Sequence, residues 1–268
     1  MRNTPNSAAA PPPLSQDKTI ELLLKRSKRT NKTVPIRRGF VQERDPTANK
    51  AVGGGPLAYL VKGGRERALD LWLLINAVTS AGDFSVTEWS NTWARAIGLP
   101  HPTAGPEAVS RALKVLDDAK LISRERVGKQ TRITKLLEDG SGKKYEPPTG
   151  GTSRYYFQLP FEYWTDGYHN QLTLPGKALL LIAMSSRDPN AEFCLTQQQV
   201  HDWYGISPRT VSRGMKDLQE NDLLVHTRDD WYDTLATQTG RARKPVYALQ
   251  EPFKPRGLKP TIQAPSAE

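Results

Sequence analysis

Apolar residues return at helical spacing at Ala68, Leu71, Trp72, Ile75 and Val78, which predicts an amphipathic helix that ends by Gly82. Residues 175–184 predict a second, more uniformly apolar helix, and residues 193–195 a short strand. Thr196 and Gln199 then stand at capping-box spacing, so another helix starts there and stops at Gly205. Ser207 supplies a hydroxyl for an N-cap, and Pro208 the preset backbone angle of a first helical turn. On the helix that follows, Val211, Met215 and Leu218 form the apolar stripe, so Arg209, Thr210, Ser212, Arg213 and Lys216 must point elsewhere. Residues 223–225 read as a strand and residues 247–249 as its returning partner.

This plan occurs twice. Residues 106–122, PEAVSRALKVLDDAKLI, align without gaps to residues 208–224, PRTVSRGMKDLQENDLL, with seven of 17 positions identical. Upstream, Phe84-Ser85-Val86-Thr87 answers Phe193-Cys194-Leu195-Thr196, and Gly98-Leu99 answers Gly205-Ile206. In the first copy Val109, Leu113 and Leu116 are the expected buried stripe, with Ser110, Arg111 and Lys114 outward. Its hairpin is expected to open near Leu121 and close at residues 155–157, with Arg126, Lys129 and Arg132 in the loop between. The first copy departs in two ways. Residues 101–105 lengthen the turn before its last helix, and Glu107 stands where the second copy has Arg209.

Around these units the chain reads as tail and linker. Residues 1–13 are rich in Ala and Pro, a short helix is expected at about residues 20–29, and the prolines and glycines of residues 33–64 suggest an extended arm. Residues 1–64 are accordingly expected to be a disordered basic arm, 65–160 a first domain, 161–253 a second, and 254–268 a disordered tail. Charge follows the same division. Residues 1–67 hold 14 basic against five acidic residues, while the rest of the chain holds 24 against 23. Cations collected on an arm suit a polyanion, because each phosphate they meet releases counterions.

Two helices, a last helix opening with S-P-R-T-V-S-R, a following pair of leucines and a basic hairpin resemble the winged helix-turn-helix DNA-binding domain. The resemblance covers about two thirds of the chain. It implies an α+β fold, mainly α with small β-hairpins, made of two tandem winged-helix domains behind a flexible basic arm. It also implies double-stranded DNA as partner, with contacts from Ser207, Arg209, Thr210, Ser212, Arg213 and Lys216 on the second recognition-type helix. Arg241, Arg243 and Lys244 would lie on the second wing, Ser110, Arg111 and Lys114 on the first helix, and Arg126, Lys129 and Arg132 on the first wing. Arg pairs with guanine edges and Lys with phosphates in such a site.

Other chemistries find little support. The single cysteine, Cys194, excludes an internal disulfide and a cysteine-rich zinc site. Residues 140–144 hold G-S-G-K-K, but Leu137 stands where a phosphate-binding loop needs its first glycine and Lys144 where it needs Ser or Thr, so a wing tip is the better reading. His101, His169, His201 and His226 form no H-x-H or H-E-x-x-H pattern, and Tyr155 and Tyr156 read as packing, so no enzyme and no cofactor is expected. Trp89, Trp93, Trp164 and Trp203, with Tyr163 and Tyr204, read as core anchors rather than as platforms for unpaired bases. With no apolar run of spanning length, a cytoplasmic, nucleoid-associated protein is expected, and a homodimer is compatible with the sequence. A transcriptional regulator is the leading function. A non-nicking replication initiator of a plasmid or mobile element, binding origin repeats, and a protein-binding adaptor are the alternatives.

Overall fold

The computed structural model describes residues 12–44, 47, 50–148, 156–186, 192–194 and 196–254. It is a mixed α+β structure of short helices and small antiparallel sheets.

The segment expected to be a disordered arm is instead folded onto the body over most of its described residues. Helix α1 (Gln16–Arg26), capped by the Ser15 hydroxyl, buries Ile20, Leu23 and Leu24. Strand β1 (Thr33–Arg37) follows, then a hairpin of β2 (Gln42–Arg44) and β3 (Ala51–Gly54), then α2 (Pro56–Lys62). Gly55 is the N-cap of α2 and Pro56 opens its first turn, so residues that suggested a linker are a helix start. Leu57 and Leu60 of α2 are fully buried. The expectation failed because Pro and Gly were read as breakers of structure, whereas here they start a helix and admit a close contact. Residues 1–11 and 255–268, the outer parts of the two expected tails, lie outside the described residues.

The repeated unit is plain in the topology. Helix α3 (Glu66–Val78), strand β4 (Ser85–Glu88), helices α4 (Ser90–Ala96) and α5 (Ala104–Asp118), and strands β5 (Ile122–Val127) and β6 (Gln130–Lys135) form the first copy. Its sheet has the order β4-β6-β5. Strand β7 (Tyr156–Pro160) and the short helices α6 (Glu162–Thr165) and α7 (Tyr168–Gln171) lead to the second copy. That copy is α8 (Leu174–Met184), β8 (Glu192–Phe193), α9 (Gln197–Tyr204), α10 (Pro208–Glu220), β9 (Leu224–Asp233) and β10 (Arg241–Leu249), with sheet order β8-β10-β9. Leu195, the last residue of the expected strand, lies outside the described residues.

The first hairpin does not close where the sequence suggested. Strand β5 turns through Gly128 and Lys129 directly into β6, with Val127 opposite Gln130. Strand β7 belongs to another sheet, pairing with β1 from Thr33 opposite Pro160 to Arg37 opposite Tyr156. A strand whose partner lies over a hundred residues away carries no local pairing signal. Tyr156 is half-buried in β7, and Tyr155 lies outside the described residues. Residues 140–144 are no wing tip: Leu136 bridges to Lys144, and the turn sits beside Pro56 and Lys120.

One apolar cluster reaches from Ile20 to Phe253 and takes in the helices of both copies. Trp72 stacks on Phe40 at 3.8 Å between ring centres, holding the first copy's opening helix to the N-terminal segment. Trp93, Trp164, Tyr163 and Tyr204 are buried in this cluster and Trp203 packs against it, while Trp89 is exposed.

Candidate nucleic-acid interface

Helix α10 is built as its sequence suggests. The Ser207 hydroxyl accepts from the Thr210 backbone N–H, Pro208 occupies the first turn, and Thr196 and Gln199 complete the capping box of α9. Gly205, at φ 63°, makes the left-handed turn between the helices, as Gly98 does at φ 72° in the first copy. Val211, Gly214 and Leu218 are buried against α8. Gly214 is needed there, since a methyl group would press on the Pro175 carbonyl oxygen.

What remains outside is Ser207, Arg209, Ser212, Arg213 and Lys216, with Thr210 half-buried. Lys216 lies 3.5 Å from Glu220, and Ser212 bonds back to the Pro208 carbonyl. Arg209 and Arg213 have no ion pair or hydrogen bond among the described residues. Asp217, the other acid of α10, is turned inward, where its Oδ2 accepts from the Thr173 N–H at 2.8 Å and from the Thr173 hydroxyl at 2.6 Å. The first two turns of α10 therefore show two guanidinium groups, uncommitted among the described residues, beside two hydroxyls, a set of donors fit for guanine edges and phosphate oxygens.

Helix α5 presents the matching positions with a different electrostatic result. Val109, Leu113 and Leu116 are buried and Ser110, Arg111 and Lys114 are exposed. Yet Arg111 lies 3.8 Å from Glu107 and Lys114 3.0 Å from Asp118, each one helical turn away. With Asp117 the helix holds three acids against two bases. A phosphate approaching this face meets cations already shared with carboxylates.

The two hairpins expected to be wings also differ from expectation. Lys129 sits at the tip of the first and is exposed, and Arg126 donates to the Gly128 carbonyl. Arg132 is not at the tip. It lies within β6, opposite Thr87 and Glu125, and is held by Asp83 and Glu125; the Asp83 bond raises the Arg132 pKa, and the Ser85 hydroxyl first and Arg132 second lower that of Asp83. Arg241, Arg243 and Lys244 lie not in a loop at the hairpin tip but in β10, whose ladder with β9 runs out to Arg241 opposite Asp233. Arg243 is 2.9 Å from Asp229 and Arg241 is 3.4 Å from Asp233, while Lys244 is half-buried and interacts with the Cys194 thiol. Counting Arg228 and Asp230, the ribbon has four cations and three carboxylates, so it is close to neutral. Alternation of acid and base across the paired strands offsets the basic run that residue order displays. The exposed Trp231 and Tyr232 of β9 were missed as well. Their signal was their place in a strand whose neighbours are all polar.

Among the described residues no group of His, Cys, Asp and Glu is arranged to hold a metal ion, and no helix is long and apolar enough to cross a membrane. Comparison of the chain with protein-family models, with curated proteins and with solved structures finds no match to any of them.

Proposed function

We propose that the chain binds double-stranded DNA in a sequence-specific manner through two tandem winged-helix units, and that it serves as a transcriptional regulator. Helix α10 enters the major groove, Arg213 and Arg209 reach base edges or flanking phosphates, and Lys216 meets the backbone. The observation that carries this reading is the pair of uncommitted guanidinium groups on the first turns of a capped helix held by a short turn to α9. The repeated order helix, strand, helix, helix, strand, strand supports the winged-helix assignment in both copies. The mixed charges of α5 favour a weaker backbone contact there, or an adaptor role in which that face meets protein.

Selection of bound duplexes from a random library, followed by titration of the winners in rising salt, tests the proposal. Binding should weaken steeply with salt, with a log–log slope of about −0.9 for each phosphate neutralised. Arg213→Ala should cost about 1 to 3 kcal/mol on the selected site and much less on random duplex, whereas Lys216→Ala should weaken both alike. Absence of a salt-dependent complex would overturn the assignment and leave the adaptor. Winning duplexes that carry direct repeats would favour a non-nicking replication initiator over a regulator.

A further inference from the structure

Among the described residues the outer edge of the second hairpin, β9, has no partner strand, and its charges complement one another. In the order β8-β10-β9, the ten residues of β9 pair with β10 on one side only. The outer edge of β10 contains Pro245, which has no N–H to offer, whereas β9 contains neither Pro nor Gly. An unblocked edge of this length is a template for another strand. It also carries two large rings in water, since Trp231 is 65% and Tyr232 43% exposed, and aromatic residues with Arg are what protein interfaces collect.

We propose that β9 pairs with β9 of a second copy of this chain, antiparallel and about a twofold axis at Asp229. In an antiparallel ladder opposed residues both point toward the partner strand or both away, and the two states alternate along the strand. When the two strands are identical, the numbers of every opposed pair must therefore add to an even total. Arg228 can then face Asp230, but not Asp229 or Asp233. With the axis at Asp229, Arg228 of each copy faces Asp230 of the other, giving the contact twice.

Arg228 gives Nε to Asp230 Oδ1 at 3.1 Å and Nη1 to Glu192 of β8 at 2.5 Å. Because β8 lies across β10 from the free edge, the pairing exchanges the Glu192 contact for Asp230 of the second copy, whose Oδ2 is left by its bond to its own Arg228. Asp229, which meets its own copy on the axis, is already compensated, because its Oδ1 lies 2.9 Å from Arg243 Nε and 2.8 Å from His226 Nε2. The one-residue register shift of the ribbon falls at Thr227, so β9 runs regularly from Arg228 to Asp233 and the regular core of the pairing is Arg228 to Asp230. Trp231 and Tyr232, on opposite faces of the ribbon, flank this core and gain contact with the partner strand. The ribbon's cations, shared among its own carboxylates, suit this contact better than a phosphate backbone.

Sedimentation of the full-length protein without DNA tests the pairing independently of any DNA-reading role. The wild type should be dimeric. Arg228→Asp and Asp230→Arg should each raise the dimer dissociation constant by about tenfold or more, because like charges then meet across the axis. An equimolar mixture of the two variants should recover a dimer of wild-type strength, since one edge then offers only cations and the other only carboxylates. That recovery also shows both variants to be folded. A wild type that stays monomeric at hundreds of micromolar, a single variant that dimerises like the wild type, or a mixture that stays monomeric would each overturn the proposal.

Discussion

Lys177 Nζ lies 2.8 Å from Asp70 Oδ1 and 2.9 Å from Glu66 Oε1, so the opening helices of the two repeated units, α8 and α3, are joined by a cation that is almost wholly enclosed. Burial raises the Asp70 carboxyl from its ordinary 3.8 to about 6, against the pull of Lys177. A buried ion pair of this kind stabilises little in net terms, but losing one partner is costly because the other is left buried and alone.

Removing the cation should therefore do two things. Lys177→Met should lower the stability at neutral pH by about 3 kcal/mol, and should move the Asp70 titration above 6, because the group that holds it down is gone. Since folding raises this pKa, Asp70 favours the unfolded chain more strongly as pH rises from about 4 to 6. Asp70→Asn should flatten that segment of the stability profile. Carboxyl carbon shifts followed through a pH titration, with denaturant melts at each pH, measure both effects.

Glu107 sets the charge of α5 by engaging Arg111 at 3.8 Å. Glu107→Arg should free that guanidinium and give the first copy the charge pattern of the second. The expected result is several-fold tighter binding to random duplex, with the salt slope steeper by roughly one phosphate or more. Fluorescence anisotropy across a salt series reads both, and an unchanged slope would show that α5 does not approach the backbone.

The hairpin of β2 and β3 rests on the end of α9 because Gly54 has no side chain. A methyl there would collide with the Tyr204 carbonyl oxygen, whereas Gly53 has nothing within 4 Å. Gly54→Ala should cost about 1 to 3 kcal/mol, which lowers Tm by several degrees, while Gly53→Ala should leave Tm nearly unchanged. Paired thermal melts of the two variants provide the check.

Ser207 caps α10 and, in the proposed DNA-bound state, would also face phosphate, two roles that substitution can separate. Ser207→Ala removes the oxygen that accepts from the Thr210 N–H and should cost about 1 kcal/mol of stability. Ser207→Asp keeps a capping oxygen and should preserve stability, yet under the proposed function its charge would meet the phosphates and should weaken every duplex alike. Denaturant melts and duplex titrations of both variants distinguish cap from contact.

The local chemistry of the second copy was legible in residue order, and this has a physical cause. The capping box of Thr196 and Gln199, the Ser207 cap, the Pro208 start and the stripe of Val211 and Leu218 depend only on residues three to seven apart, so their spacing states the geometry directly. The internal repeat then carried the same reading to α5.

Tertiary structure decided what depends on distant partners. Residues 33–37 look like linker until β7 supplies their backbone partners, and Gly54 looks like slack until Tyr204 closes on it. A cation's availability is decided in the same way. Arg213 and Arg111 stand at equivalent positions of the repeat, but a carboxylate one turn away engages only Arg111. Arg241 and Arg243 belong to a basic run in the sequence, and become part of a nearly neutral ribbon once β9 lays Asp233 and Asp229 beside them. The charge a surface presents is a sum over neighbours in space, and chain order lists only the neighbours along the backbone.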